Sequence, residues 1–369
     1  GTNAAGIYIN SSAGAAGTSI TNTSTGSIST TGGSNSTRPQ GASAIYTQSG
    51  GLVSITNSGT VSASGSGQNA IWMDGPASIT NSGTIQSSNG ASINLTNSFN
   101  STRSGIVNQA GGIISSPTSS AIQSSSPGVD VSNYGTITSP TTAISFANIS
   151  TSVSNTVTLY GGSTTTGAIQ FNPNSNSETL NFTGLVNSGF NNSITGLNVI
   201  NATGGAQVTM NSAAGYSLVG GAVNVDGTSA LTISGGITDQ VSPSAASSIT
   251  KTGIGILTLS GSNTYTGTTI INAGAVKGGN ANAFSANSAT TINPTGTVDL
   301  GGFAQTINAV SLAGGTITNG ALTGAITSTG GTVNNITGAA SLTNTSGTTT
   351  LTGANGYTGA TTVNGGTVT

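Results

Sequence analysis

The chain has 369 residues, of which only 3% are charged, with a net charge of −2 and a hydrophobic share of 33%. An average soluble domain carries about a quarter charged residues, and the apolar residues here recur periodically, which separates the chain from a Ser/Thr/Gly linker of low complexity. Cysteine and histidine are both absent, which removes disulfides, thiolate chemistry and the commonest general base and metal ligand.

The four basic residues, Arg38, Arg103, Lys251 and Lys277, are scattered. No patch can neutralise a run of phosphates, so nucleic acid is excluded as a partner. No apolar run approaches the ~20 residues of a membrane-spanning helix. The 58 glycines would each cost a helix interior about 1 kcal/mol. The composition predicts an all-β chain.

Residues 1–150 are expected to form regular coils. Ser54 to Val61 reads Ser-Ile-Thr-Asn-Ser-Gly-Thr-Val, and Ser78 to Ile85 repeats it 24 residues on with Ile for Val. Val131 to Ile137 is a variant, Ile106 to Ile113 carries one extra residue, and Ile20 to Ile28 is a looser copy. Between the copies a small residue precedes Ile, as in Gly6-Ile7, Ala44-Ile45, Ala70-Ile71, Ala121-Ile122 and Ala143-Ile144. A period in the twenties with short strands predicts a parallel β-helix, one repeat per coil, with about sixteen coils of ~22 residues. Alternation along a strand turns Ile55, Val61, Ile79 and Ile85 inward. Asn57 shares that parity, so Asn57, Asn81, Asn108 and Asn133 should stack as a structural ladder at one corner, each amide satisfying the next. Gly59, Gly83 and Gly135 are expected in turns that a side chain would forbid.

Residues 151–248 read as less regular coils with loops, at Phe171 to Asn174 and around Pro243. Residues 249–369 carry the sharpest repeat. Leu259-Ser-Gly-Ser-Asn263-Thr-Tyr265-Thr-Gly267-Thr-Thr269 returns 92 residues on as Leu351-Thr-Gly-Ala-Asn355-Gly-Tyr357-Thr-Gly359-Ala-Thr361. An apolar strand and a glycine turn follow each copy, at Ile270 to Val276 and Thr362 to Val368.

This pattern resembles the autotransporter-associated β-strand repeat of bacterial type V secretion passengers, and Thr297 to Ile307 resembles that family's companion strands. The likeness is specific over Ile249 to Thr369 and weaker upstream. It implies a right-handed β-helix exported to the cell surface or released, with a C-terminal β-barrel translocator outside this segment.

The acids Asp74, Asp130, Glu178, Asp226, Asp239 and Asp299 form no pair at the local period. Glycoside cleavage needs two carboxyls about 5–9.5 Å apart, so these residues read as solvated turn residues. Nothing matches a calcium nonapeptide; no catalytic residue or cofactor is expected, and no metal is assigned. The residues after three small-Ile pairs are Tyr8, Tyr46 and Trp72. If the isoleucines point inward, these point outward and form an exposed aromatic column, a possible contact for a sugar ring or partner protein. The expected role is a non-catalytic adhesin or stalk meeting glycans, a host or matrix surface, or copies of itself. A self-assembling extracellular fibre or surface-layer component is the alternative. A carbohydrate-active β-helix enzyme is disfavoured by the missing acid pair.

Overall fold

Short runs that alternate apolar and small polar residues cannot bury both faces, so they wind around a shared interior. The computed structural model describes residues 6–11, 17–31, 43–96, 102–126, 128–146, 154–175, 177–241 and 244–369. Arg38 and Pro243 lie outside them. Among the described residues there is no helix, and every paired strand is parallel to its partner, so the fold is a parallel β-solenoid. Contacts divide the chain into two units, Gly1–Asn181 with Asn192–Gly196, and Phe182–Asn191 with Leu197–Thr369.

The first unit has three ranks of strands per coil, and each rank contributes an inward column of branched side chains. One column is Ile20, Ile55, Ile79, Ile106, Val131 and Val157. The second is Val61, Ile85, Ile114 and Ile137. The third is Ile45, Ile71, Ile93, Ile122, Ile144 and Ile169, residues that follow the small-residue positions. Ala44, Ala70, Ala121 and Ala143 are buried beside them, because two consecutive inward residues at a corner leave room only for a small one. Burying each Ile or Val contributes about 1.5–3 kcal/mol, and this repeated term holds a chain with little charge pairing. Among the described residues about 13 turns form, a little below the sixteen expected. Coils of the first unit are longer than 22 residues: the Asn corner advances by 35, 24, 27 and 25 residues at successive steps.

In the second unit the coils tighten to 19–21 residues where the Tyr-containing repeats lie. Strands Ala230–Ile233 and Ile256–Leu259 stack Leu231 on Leu257, then on Val276 and Val298. A second column runs Val223, Lys251, Ile271, Ile292 and Leu312. Lys251 thus occupies an apolar position. It is buried, and its Nζ donates to the carbonyls of Thr252 at 2.6 Å, Gly253 at 2.7 Å and Ala273 at 3.3 Å. Desolvation pulls its pKa down to about 8.

Candidate functional site

The Asn corner is a continuous chain of amides. Each Nδ2 donates to the Oδ1 of the next coil: Asn22 to Asn57 at 2.7 Å, Asn57 to Asn81 and Asn81 to Asn108 at 2.8 Å, and Asn108 to Asn133 at 2.9 Å. The other amide hydrogen reaches nearby carbonyls, as Asn57 does at Gly59 and Thr84, both 3.1 Å. Asn133 ends the run on the Thr164 carbonyl at 3.0 Å and the Thr165 hydroxyl at 3.1 Å, because its own register partner is Leu159. Asn22, which begins the run, carries the same Thr-Asn signal in sequence. Asn344 builds a similar corner in the second unit, donating to the Gly365 carbonyl at 2.7 Å. Its context, Ser341-Leu-Thr-Asn-Thr-Ser-Gly347-Thr, is a further copy of the Ser54 string.

The glycines beside these asparagines are required for a reason other than turn conformation. Gly59, Gly83 and Gly135 are not among the residues with positive φ. A Cβ on Gly83 would lie 2.1 Å from the Gly59 carbonyl oxygen, and on Gly59 2.2 Å from that of Gly26. The coils approach too closely there for any side chain.

The two Tyr-containing repeats share one local geometry. Asn263 Oδ1 accepts the Ile237 amide at 2.7 Å, and Asn355 Oδ1 accepts the Ile336 amide at 2.9 Å, each from the preceding coil. The Tyr265 hydroxyl bonds Thr269 Oγ1 at 2.6 Å, and Tyr357 bonds Thr361 Oγ1 at 2.7 Å. Gly267 and Gly359 donate to the carbonyls of Ser247 at 3.0 Å and Ala340 at 2.9 Å, where a Cβ would sit 2.3 Å from the same oxygen. Burial raises the Tyr265 pKa to about 12. In both copies Asn ties back one coil, Tyr braces its own turn and Gly permits the close approach. Gln305 continues the pattern, accepting the Ala283 amide at 2.8 Å and donating to the Asn280 carbonyl at 2.7 Å. It has no Asn-x-Tyr-x-Gly context to announce it.

The aromatic column forms in register, Tyr8 opposite Tyr46 and Tyr46 opposite Trp72, and Asn94, Gln123, Ser145 and Gln170 extend it. It is not exposed throughout. Tyr8 is 51% exposed and Trp72 is half-buried, but Tyr46 is only 3% exposed. Tyr46 lies between its neighbours, stacked on Tyr8 with ring centroids 5.4 Å apart and meeting Trp72 edge-on at 6.3 Å. Trp72 Nε1 donates to Thr96 Oγ1 at 3.0 Å, which fixes the indole. The available surface is therefore Tyr8, Trp72 and the amide and hydroxyl groups that follow. At another corner of the unit, Gln86, Ser115, Ser116, Pro117, Thr138, Ser139 and Pro140 line a shallow groove of about 410 Å³ that has no charged residue.

Five of the six carboxylates are committed to backbone and neighbouring side chains. Asp226 accepts from the Gly204 amide at 2.7 Å and from Thr228 N and Oγ1 at 3.0 and 2.8 Å. Hydrogen bonds from Ser229, Gly204 and Thr228 pull its pKa to about 2. Asp239 accepts from the Ser247 and Thr266 amides at 2.9 and 3.0 Å, and Asp299 from the Gly301 amide at 2.8 Å. Asp130 pairs with Arg103 through two bonds, Nε to Oδ2 at 2.9 Å and Nη2 to Oδ1. Both partners are solvent-accessible, so the pair contributes at most about 1 kcal/mol. Glu178 departs from the expectation of a solvated turn residue. It is buried and accepts from Asn155 N at 2.9 Å and Asn155 Nδ2 at 3.0 Å, and desolvation raises its pKa to about 7. Asn155 Oδ1 in turn caps the Val129 amide at 3.0 Å, so the acid anchors the corner of three coils. Among the described residues no three acids gather as a metal site would require.

Comparison with known proteins agrees with this architecture. The family described as passenger-associated-transport-repeat matches residues 249–277 and 346–369, which hold the two copies of the Asn-x-Tyr-x-Gly geometry. Over 173 residues the chain is 35% identical to a protein of Brucella suis biovar 1 (strain 1330) described as the adhesin BmaC autotransporter. The match covers 41% of this chain and 5% of that protein's length. No solved structure matches. Passenger repeats on a parallel β-solenoid, with the likeness to an autotransporter adhesin, support an autotransporter passenger segment that lies outside the bacterial cell.

Proposed function

We propose that this segment acts in adhesion: it presents coil faces to a neutral, hydroxylated partner at the cell surface and carries no catalytic centre. The observation that supports this reading is the outward column from Tyr8 to Gln170, where an aromatic pair leads into amides and hydroxyls one coil apart. Strands stack ~4.8 Å apart, a spacing that lets successive side chains meet successive groups of a glycan or an extended matrix chain. Aromatic faces supply the apolar contact and the amides the hydrogen bonds. A net charge of only −2 leaves little long-range repulsion against a negatively charged cell surface or a second copy. The adhesin character of the Brucella relative belongs to the same reading. The carboxylates of Asp130, Glu178, Asp226, Asp239 and Asp299 support the absence of catalysis, since each is held by backbone amides or by Arg103.

The test is binding of the purified chain to immobilised glycans and matrix proteins, with Trp72→Ala beside it. The reading expects binding to a neutral glycan or matrix component and at least a tenfold loss in the variant. Equal binding by both proteins would remove the aromatic column from the account. Concentration-dependent pairing of the chain in sedimentation would instead make a second copy the partner.

A further inference from the structure

The register of the Asn corner brings two tyrosines together outside it. The residues following Asn57, Asn81, Asn108 and Asn133 are Ser58, Ser82, Gln109 and Tyr134. Leu159 is the register partner of Asn133 and is followed by Tyr160. The two rings therefore stand one coil apart on the outer side of the corner. They are stacked with centroids 3.8 Å apart and planes inclined by 11°. Tyr134 is 40% exposed and Tyr160 is partly exposed.

The other five tyrosines are placed differently. Tyr216 and Tyr265 are buried, and their hydroxyls are engaged by the Ser212 amide and Thr269. Tyr357 has no stacked ring among the described residues. Tyr8 does stack on Tyr46, but with centroids 5.4 Å apart and Tyr46 covered. We propose that Tyr134 and Tyr160 form a site of oxidative modification, at which a haem peroxidase using hydrogen peroxide joins the two side chains as a dityrosine staple between adjacent coils.

The chemistry balances with that oxidant. Each phenol gives up one electron and one proton, and the two electrons and two protons reduce one peroxide to two waters. The paired phenoxyl radicals form a carbon–carbon bond between one ortho position of each ring. Each bonded ortho carbon then loses its hydrogen as a proton while its ring oxygen takes one up, restoring two phenols. Two radicals held face to face couple as a unimolecular event, whereas isolated surface tyrosines must find one another by diffusion. The product would link residues 129–134 to residues 156–160 covalently, in a chain that has no cysteine to staple its coils outside the cell.

The experiment treats the full chain at low concentration with horseradish peroxidase and hydrogen peroxide, then maps cross-linked peptides by mass spectrometry. Tyr134→Phe, Tyr160→Phe and Tyr8→Phe are run in parallel, with circular dichroism confirming that each variant keeps its β signal. The proposal expects one intrachain link between Tyr134 and Tyr160, two hydrogens lighter than the separate peptides. Its yield should not change with protein concentration, should vanish in the first two variants and should persist in the third. Links that form mainly between chains and rise with concentration would overturn it, as would preferred coupling at Tyr8 or Tyr357.

Discussion

At the scale of single residues, stability rests on amides and glycines that face the neighbouring coil. Asn81 receives one bond from Asn57 and donates to Asn108, Gly83 and Ile113. Asn81→Ala strands buried partners on both sides and should cost about 3 kcal/mol, read as a lower midpoint in urea denaturation. Two glycine substitutions separate close approach from mere residue type. Gly83→Ala places a methyl 2.1 Å from the Gly59 carbonyl oxygen, whereas a methyl on Gly105 meets nothing within 4 Å. The first should lose about 1–3 kcal/mol and the second should stay within about 0.5 kcal/mol of the parent, in the same denaturation experiment. The asparagines and these glycines were legible because one short string repeats them at matching parity. The cause of the glycine requirement was not: a sequence shows that a side chain is absent, while the oxygen it would strike belongs to the preceding coil. Tyr46 was misread for a similar reason. Strand parity gives the direction of a side chain, and its cover comes from the rings stacked above and below it.

At the scale of coils, two buried ionisable groups should give two parts of the chain opposite responses to pH. The pKa of Glu178 is raised, so the folded state favours the neutral acid. Its stabilising contribution is complete below the ordinary carboxyl range and is lost as pH rises through about 7. The pKa of Lys251 is lowered, so the folded state favours the neutral amine. Its contribution is complete above the ordinary lysine range and is lost as pH falls through about 8. Hydrogen exchange, corrected for the intrinsic rate at each pH, should show the coil of Asn155 and Glu178 best protected below pH 4.5. The coil of Lys251 should be best protected above pH 10.5. Glu178→Gln should flatten the first profile and Lys251→Met the second, and a common slope in both coils would contradict the assignment. Neither burial could be read from the sequence. Charge signals solvent by default, and only the three-dimensional register sets Lys251 between Val223 and Ile271, or Glu178 under Asn155. Gln305 escaped notice in the same way, being a lone amide outside any repeated string.

At the scale of the whole molecule, stability and function draw on the same repetition. Periodic inward residues make successive coils interchangeable, so outward residues can vary without disturbing the core, and the column from Tyr8 to Gln170 shows that freedom. The repeats at 249–277 and 346–369 were recognisable because Asn, Tyr and Gly each meet a fixed demand of coil stacking, which keeps their spacing constant. A ligand surface meets no such internal demand: the column of Tyr8, Tyr46 and Trp72 was legible only through the small-Ile pairs before it, and which of its rings stay exposed came from register and packing. The measurement that tests the central claim most directly is adherence. The chain is displayed on a non-adherent bacterium, and binding of those cells to a host matrix layer is compared with that of cells displaying Trp72→Ala. The account predicts that display confers adherence and that the variant loses most of it at equal surface level. Folded, displayed chain that confers no adherence to any matrix or glycan layer would contradict it.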